Sequence, residues 1–115
     1  MQRKNLNSNR NDRVASKVQT IVAEILRDNY SDDPLLSGVS LVGSVAHGGL
    51  QYVRLFFVCR DENHDAVQQK LDAETRTMRF ELAQRMNQKY VPEIKFMYDD
   101  TIERAARLDE LLKNL

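Results

Sequence analysis

Six basic side chains are the best candidates for chemistry in this chain. Arg13 and Lys17 stand four residues apart, and Arg76, Arg79, Arg85 and Lys89 follow in the second half. Guanidinium and ammonium groups along helices neutralise phosphates, so the chemistry they point to is binding of a polyanion. The charge is unevenly placed. Residues 61–75 carry Asp61, Glu62, Asp65, Asp72 and Glu74 against Lys70, and residues 76–95 carry five cations against Glu81 and Glu93. The competing reading is a solvated helix surface laced with i,i+4 pairs. No helical wheel puts Arg76, Arg79, Arg85 and Lys89 on one face: Arg76 lies near Arg79, and Arg85 near Lys89, but the two pairs lie apart.

Catalytic patterns are missing. There is no GxxxxGK[ST] and no GxGxxG, and "VGSVAHGG" has the wrong spacing to cradle a phosphate. His47 and His64 are far apart, and Cys59 has no CxxC partner, so no metal set is expected. Cys59 follows a buried strand and reads as core or rim. His47 is expected in a solvated turn. Asp99 and Asp100 read as a helix cap rather than an acid–base pair. No cofactor and no enzymatic activity are expected.

Bulk properties narrow the class. The chain has 115 residues, with 17 Lys+Arg against 17 Asp+Glu. That length suits one domain with its own core. Net charge argues neither for nor against nucleic acid. A single cysteine forbids an internal disulfide and suits a reducing, cytoplasmic setting. With no long apolar run and no signal-like segment, a soluble, non-secreted protein away from membranes is expected.

The elements that must position the cations are legible in the pattern. Residues 1–10 are polar, with Arg3, Lys4 and Arg10 among asparagines, and are expected to form a mobile basic arm ahead of a domain spanning 11–115. A first helix starts at an Asn11 or Asp12 cap and carries the stripe Val14, Val18, Ile21, Val22 and Ile25. "SDDPLLSG" is a loop. Two strands follow, "VSLVGSV" and Leu50 to Cys59, joined at His47-Gly48-Gly49. Both faces of the second strand are mostly apolar, which places it centrally. Residues 62–90 read as two helices meeting at a bend near Glu74 to Thr77. Pro92 opens an edge strand, "EIKFMY". Asp100 and Glu103 suggest a capping box for a last helix that buries Ile102, Ala105, Leu108, Leu112 and Leu115.

The resulting order, α-β-β-α-α-β-α, is that of an α+β, type II KH-like domain: a three-stranded sheet packed on helices. The GxxG loop by which ordinary KH domains contact phosphates is absent.

Three segments resemble the ribosome-binding factor A family: "RVASKVQTIVAEIL" (13–26), "MRFELAQRM" (78–86) and "YVPEIKFMYDDTIERAARLDELL" (90–112). The resemblance covers most of residues 10–115. It implies a KH-type fold without GxxG, no catalysis, and binding to the free 30S subunit and its 16S rRNA during late maturation, pre-rRNA processing and cold adaptation. Other assembly factors, a GTPase among them, are implied partners of a monomer. The resemblance also carries an RNA-facing set: Arg13 and Lys17, Arg79 and Arg85, and Lys89. Arg3, Lys4 and Arg10 join the set from charge alone. Tyr90, Val91, Pro92, Phe96 and Tyr98 are expected to be structural. Two departures stand out. The family's Ala-x-Gly at the bend is Glu74-Thr75-Arg76 here, and its Ser-x-Asp hairpin region reads "GSVAHGGLQ". The alternative is a KH-fold protein-interaction module without RNA binding.

Overall fold

The computed structural model describes residues 2–47, 51–88 and 90–115, with side chains from residue 10 onward. Helix α1 is Gln2–Asn29 and helix α2 is His64–Met86, with strands β1 (Val39–His47) and β2 (Tyr52–Cys59) between them. Strand β3 (Glu93–Tyr98) and helix α3 (Thr101–Lys113) complete the chain. The sheet order is β1-β2-β3, with β2 central as expected. β1 pairs antiparallel with β2, and β3 pairs parallel with β2. A parallel neighbour needs a crossover, and α2 supplies it. The Gly48-Gly49 turn expected between β1 and β2 lies outside the described residues.

The core is one interface between the α1/α2 layer and one face of the sheet. Val18, Val22 and Ile25 of α1 meet Val67, Leu71, Met78 and Leu82 of α2, and all are fully buried. Val53, Leu55 and Phe57 alternate inward from β2, and Ile94 and Phe96 from β3. Alternation at period two lets the other face of the sheet stay open. Phe56, Arg54, Lys95 and Met97 lie on it, with Arg54 opposite Lys95 and Phe56 opposite Met97.

Four expectations are corrected. Helix α1 starts at Gln2, well before Asn11 or Asp12. No Pro or Gly interrupts residues 2–29, and adding residues to an existing helix costs little. The two central helices are one, because 74–77 also lacks a breaker. The Thr75 hydroxyl donates to Leu71 O at 2.8 Å, and Tyr30 donates to Glu74 at 2.8 Å, so this stretch is tied down on two sides. The Asp100–Glu103 box does not form. Asp99 Oδ1 instead accepts from the Thr101 hydroxyl and from Thr101 N, the latter at 3.0 Å, while Glu103 accepts from Tyr98 Oη at 2.6 Å. Those bonds hold the Asp99 carboxyl below the usual carboxylate range and push the Tyr98 phenol up to about 12. Finally, α3 buries none of its residues: Ile102 is 79% exposed and Leu108 57%. Its stripe is real, but no layer faces it among the described residues.

Candidate nucleic-acid interface

The basic positions divide into those that solvent reaches and those that the fold uses. Arg10, Arg13 and Lys17 all lie exposed on α1. Their spacing of three and four residues stacks them on one face, to one side of the buried stripe through Val18, Val22 and Ile25. None of the three makes an ion pair among the described residues. Arg3 and Lys4 lie on the same helix, but their side chains fall outside the described residues, as does Lys89.

Arg79 has a different job. Its Nε donates to Pro92 O at 3.2 Å and its Nη2 to Val91 O at 3.0 Å. These carbonyls precede β3 and stand outside the strand ladder, so the guanidinium fork satisfies both. Arg85 is also engaged. Its Nη1 lies 3.0 Å from Asp28 Oδ2 on α1, and its Nε 3.4 Å from Glu81 Oε1 one turn back. Desolvation works against the Arg85 charge, but the hydrogen bonds to Asp28 and Glu81 outweigh it and hold the pKa above the usual value.

Arg79 forms one wall of a cleft of about 800 Å³ between α2 and the start of β3 at Glu93 and Ile94. Arg76, Phe80, Gln88, Tyr90 and Val91 complete most of the lining. A second cleft, of about 720 Å³, shares Arg79, Gln88 and Tyr90 and reaches Val14 of α1 and Tyr52 of β2. Phe80 is 67% exposed and Tyr90 80%. Tyr90, expected to be structural, thus stays mostly outside the core, just ahead of Pro92 and the strand. Pro92, Phe96, Val91 and Tyr98 do pack as expected, being buried or half-buried.

Sequence reasoning missed Phe80 as a cleft residue. A signal for Phe80 is present: it stands two residues past Met78 and two before Leu82, out of phase with a stripe that is already complete. The solvated His47 is also corrected. Its ring stacks on Tyr52 at 5.1 Å, and its Nε2 is enclosed. Lys95 Nζ sits 4.8 Å above the same Tyr52 ring. The surface thus offers exposed cations on α1 and clefts lined by both aromatic rings and guanidinium groups. Among the described residues, no group of three His, Cys, Asp or Glu could hold a metal ion, and no helix is long and apolar enough to cross a membrane.

A family model described as ribosome-binding factor A matches residues 10–112. The chain belongs to the ribosome-binding factor A family. Ribosome-binding factor A of Limosilactobacillus fermentum is 35% identical over 107 residues, covering 90% of this chain and 88% of that one. The Coxiella burnetii protein of the same name is 34% identical over 107 residues, covering 92% and 89%. The crystal structure of ribosome-binding factor A from Thermus thermophilus superposes with a TM-score of 0.67 at 15% identity. That match covers 76% of this chain and 94% of the other, so the KH-like α+β fold is shared. The family match runs through α1, the Arg79-bearing turn of α2 and the Tyr-Val-Pro approach to β3, and these three pieces build the cleft walls.

Proposed function

We propose that this protein is a non-enzymatic ribosome assembly factor that binds the free 30S subunit through 16S rRNA. The reading covers late maturation, pre-rRNA processing and growth in the cold, in the cytoplasm, with a GTPase among its partners. The exposed Arg10–Arg13–Lys17 face of α1 is the observation that carries it, in a chain of this family. Arg3 and Lys4 stand earlier on the same helix. The cations supply salt-dependent affinity, and shape selects folded rRNA, because an A-form groove is read mainly through backbone and 2′-hydroxyls. Arg79 and Arg85 act mainly by holding the surface in shape. Co-sedimentation with purified small subunits, large subunits and whole ribosomes at two salt concentrations tests the reading. Small-subunit pelleting that weakens with salt is expected, and pelleting with no particle at low salt contradicts it.

The α3 stripe favours a second reading, a protein-interaction module without RNA contact. Leu108, Leu111 and Leu112 are each more than half exposed. Apolar contact of that kind responds weakly to ionic strength, so the same salt series separates the two readings.

A further inference from the structure

We infer that the open face of the sheet docks an acidic, amphipathic segment of a protein in the small-subunit particle, with Arg54 and Lys95 taking its carboxylates. The inference rests on the small-subunit reading above and adds a protein partner at a surface which that reading leaves unused. The α1/α2 layer covers one face of the sheet, and this is the other. Three cross-strand rows make it up: His47–Tyr52–Glu93, Val45–Arg54–Lys95 and Gly43–Phe56–Met97. The middle row sets two cations on neighbouring strands directly opposite each other, an arrangement that destabilises a sheet. Neither makes an ion pair among the described residues. Glu93 is the one carboxylate in the three rows, and it pairs with neither cation. Arg54 Nε is enclosed and has no acceptor. An enclosed donor left unmade is costly, so one kept beside an unpaired lysine points to an acceptor from outside.

The neighbours of the two cations select a protein over a nucleic acid. Val45 is 44% exposed and Met97 41%, with Phe56 half-buried between Gly43 and Met97. Phosphates would neutralise Arg54 and Lys95 but leave these apolar side chains in water. Neither ring on the face is a free platform for a base. His47 stacks on Tyr52 at 5.1 Å, Lys95 Nζ lies 4.8 Å from the same ring, and Phe56 is half-buried. An amphipathic helix with leucines and carboxylates at i, i+3 and i+4 presents both chemistries on one side. Its carboxylates meet the Arg54–Lys95 row, where the guanidinium gives a charge-assisted bond, and its leucines meet the Phe56–Met97 row.

Met97→Trp adds the only Trp to the chain and places a reporter on the face. A synthetic helical peptide of leucine and glutamate should shift its emission to the blue. The same peptide with lysine for glutamate, or single-stranded RNA, should leave the emission unchanged. Lys95→Glu, at an exposed position, should weaken the acidic peptide by about tenfold or more. It should not lower Tm, because it turns a like-charge pair with Arg54 into an opposite one; a merely structural Lys95 would lower it. On purified small subunits, a benzophenone in place of Met97 should label protein rather than 16S rRNA, and Lys95→Glu should reduce the labelling. No blue shift, an equal shift with the lysine peptide, or labelling of rRNA overturns the inference. Small-subunit pelleting is measured alongside. Retained pelleting with no labelling from residue 97 contradicts this inference alone. Absent pelleting contradicts the functional reading, and the peptide titration still decides the chemistry of the face.

Discussion

Arg79 Nε on α2 donates to the carbonyl oxygen of Pro92, 3.2 Å away, just before β3 begins. The bond joins the end of the crossover helix to the strand it serves, and with the Val91 contact it forms the floor between the two clefts. A basic residue that the family resemblance counts among the RNA-facing set is thus first a structural clamp. Arg79→Ala leaves two carbonyls unsatisfied and should cost about 1–2 kcal/mol, discounted for its exposure. Arg79→Lys should recover little, because a point charge cannot span both oxygens. Urea titration of the three proteins measures this, and equal midpoints would remove the clamp.

Arg85 and Asp28 are joined across α2 and α1. Arg85→Asp should lower Tm by about 2–5 °C, since it places like charges together beside Glu81. Adding Asp28→Arg should restore much of that loss. Calorimetry on the single and double variants reads the coupling directly. If the double variant melts no higher than the single one, the pair does not stabilise the fold.

Much of this architecture can be read from residue types, and the exceptions share a cause. β2 announces its central place because Val53, Leu55 and Phe57 alternate with Tyr52, Phe56 and Val58, so that Arg54 is the one charged residue between Tyr52 and Val58. The α2 stripe is equally plain from Val67 to Met86. What periodicity cannot tell is whether anything faces a stripe: α3 has the same pattern as α1, yet only α1 meets the sheet. Partners distant in sequence are hidden too. Nothing local to Arg85 points to Asp28, and nothing near Glu74 points to Tyr30, whose hydroxyl closes the place where a bend is expected. Burial and the Glu74 contact together push the Tyr30 pKa up. At the candidate site, the α1 cations are legible because an exposed face needs no partner. The roles of Phe80 and Tyr90 depend on the cleft.

Asp33 makes a stability prediction that depends on pH. Its Oδ1 accepts from Leu36 N and Leu35 N at 2.9 Å each, and Lys70 Nζ lies 3.7 Å from Oδ2. The bond from Leu36, then that from Leu35 and the Lys70 charge, hold its pKa below the usual carboxylate value despite desolvation. A lowered folded pKa means that the stabilisation is present above the unfolded value and is lost as pH falls through the folded one. Asp33→Ala should therefore cost about 1–2 kcal/mol at neutral pH. The gap between wild type and variant should close in acid below the lowered pKa. Urea midpoints across pH give the curve, and a gap that persists unchanged in acid would contradict it.

Exposure on α3 predicts tolerance. Leu108→Ser with Leu112→Ser should leave Tm within about a degree, as for surface positions generally. Leu82→Ala, at a fully buried position of α2, should cost about 2–5 kcal/mol. A large loss from the α3 pair would mean that the helix packs on the domain in solution.

The central claim is that the α1 cations hold rRNA, and its most direct test is small-subunit affinity of an Arg10→Glu/Arg13→Glu/Lys17→Glu variant over a salt series. All three side chains are exposed, so melting should be unchanged. The account predicts affinity lower by more than about tenfold at low salt, with a shallower dependence of log K on log salt than the wild type shows. Wild-type affinity with an unaltered salt slope would contradict it and move the interface away from α1.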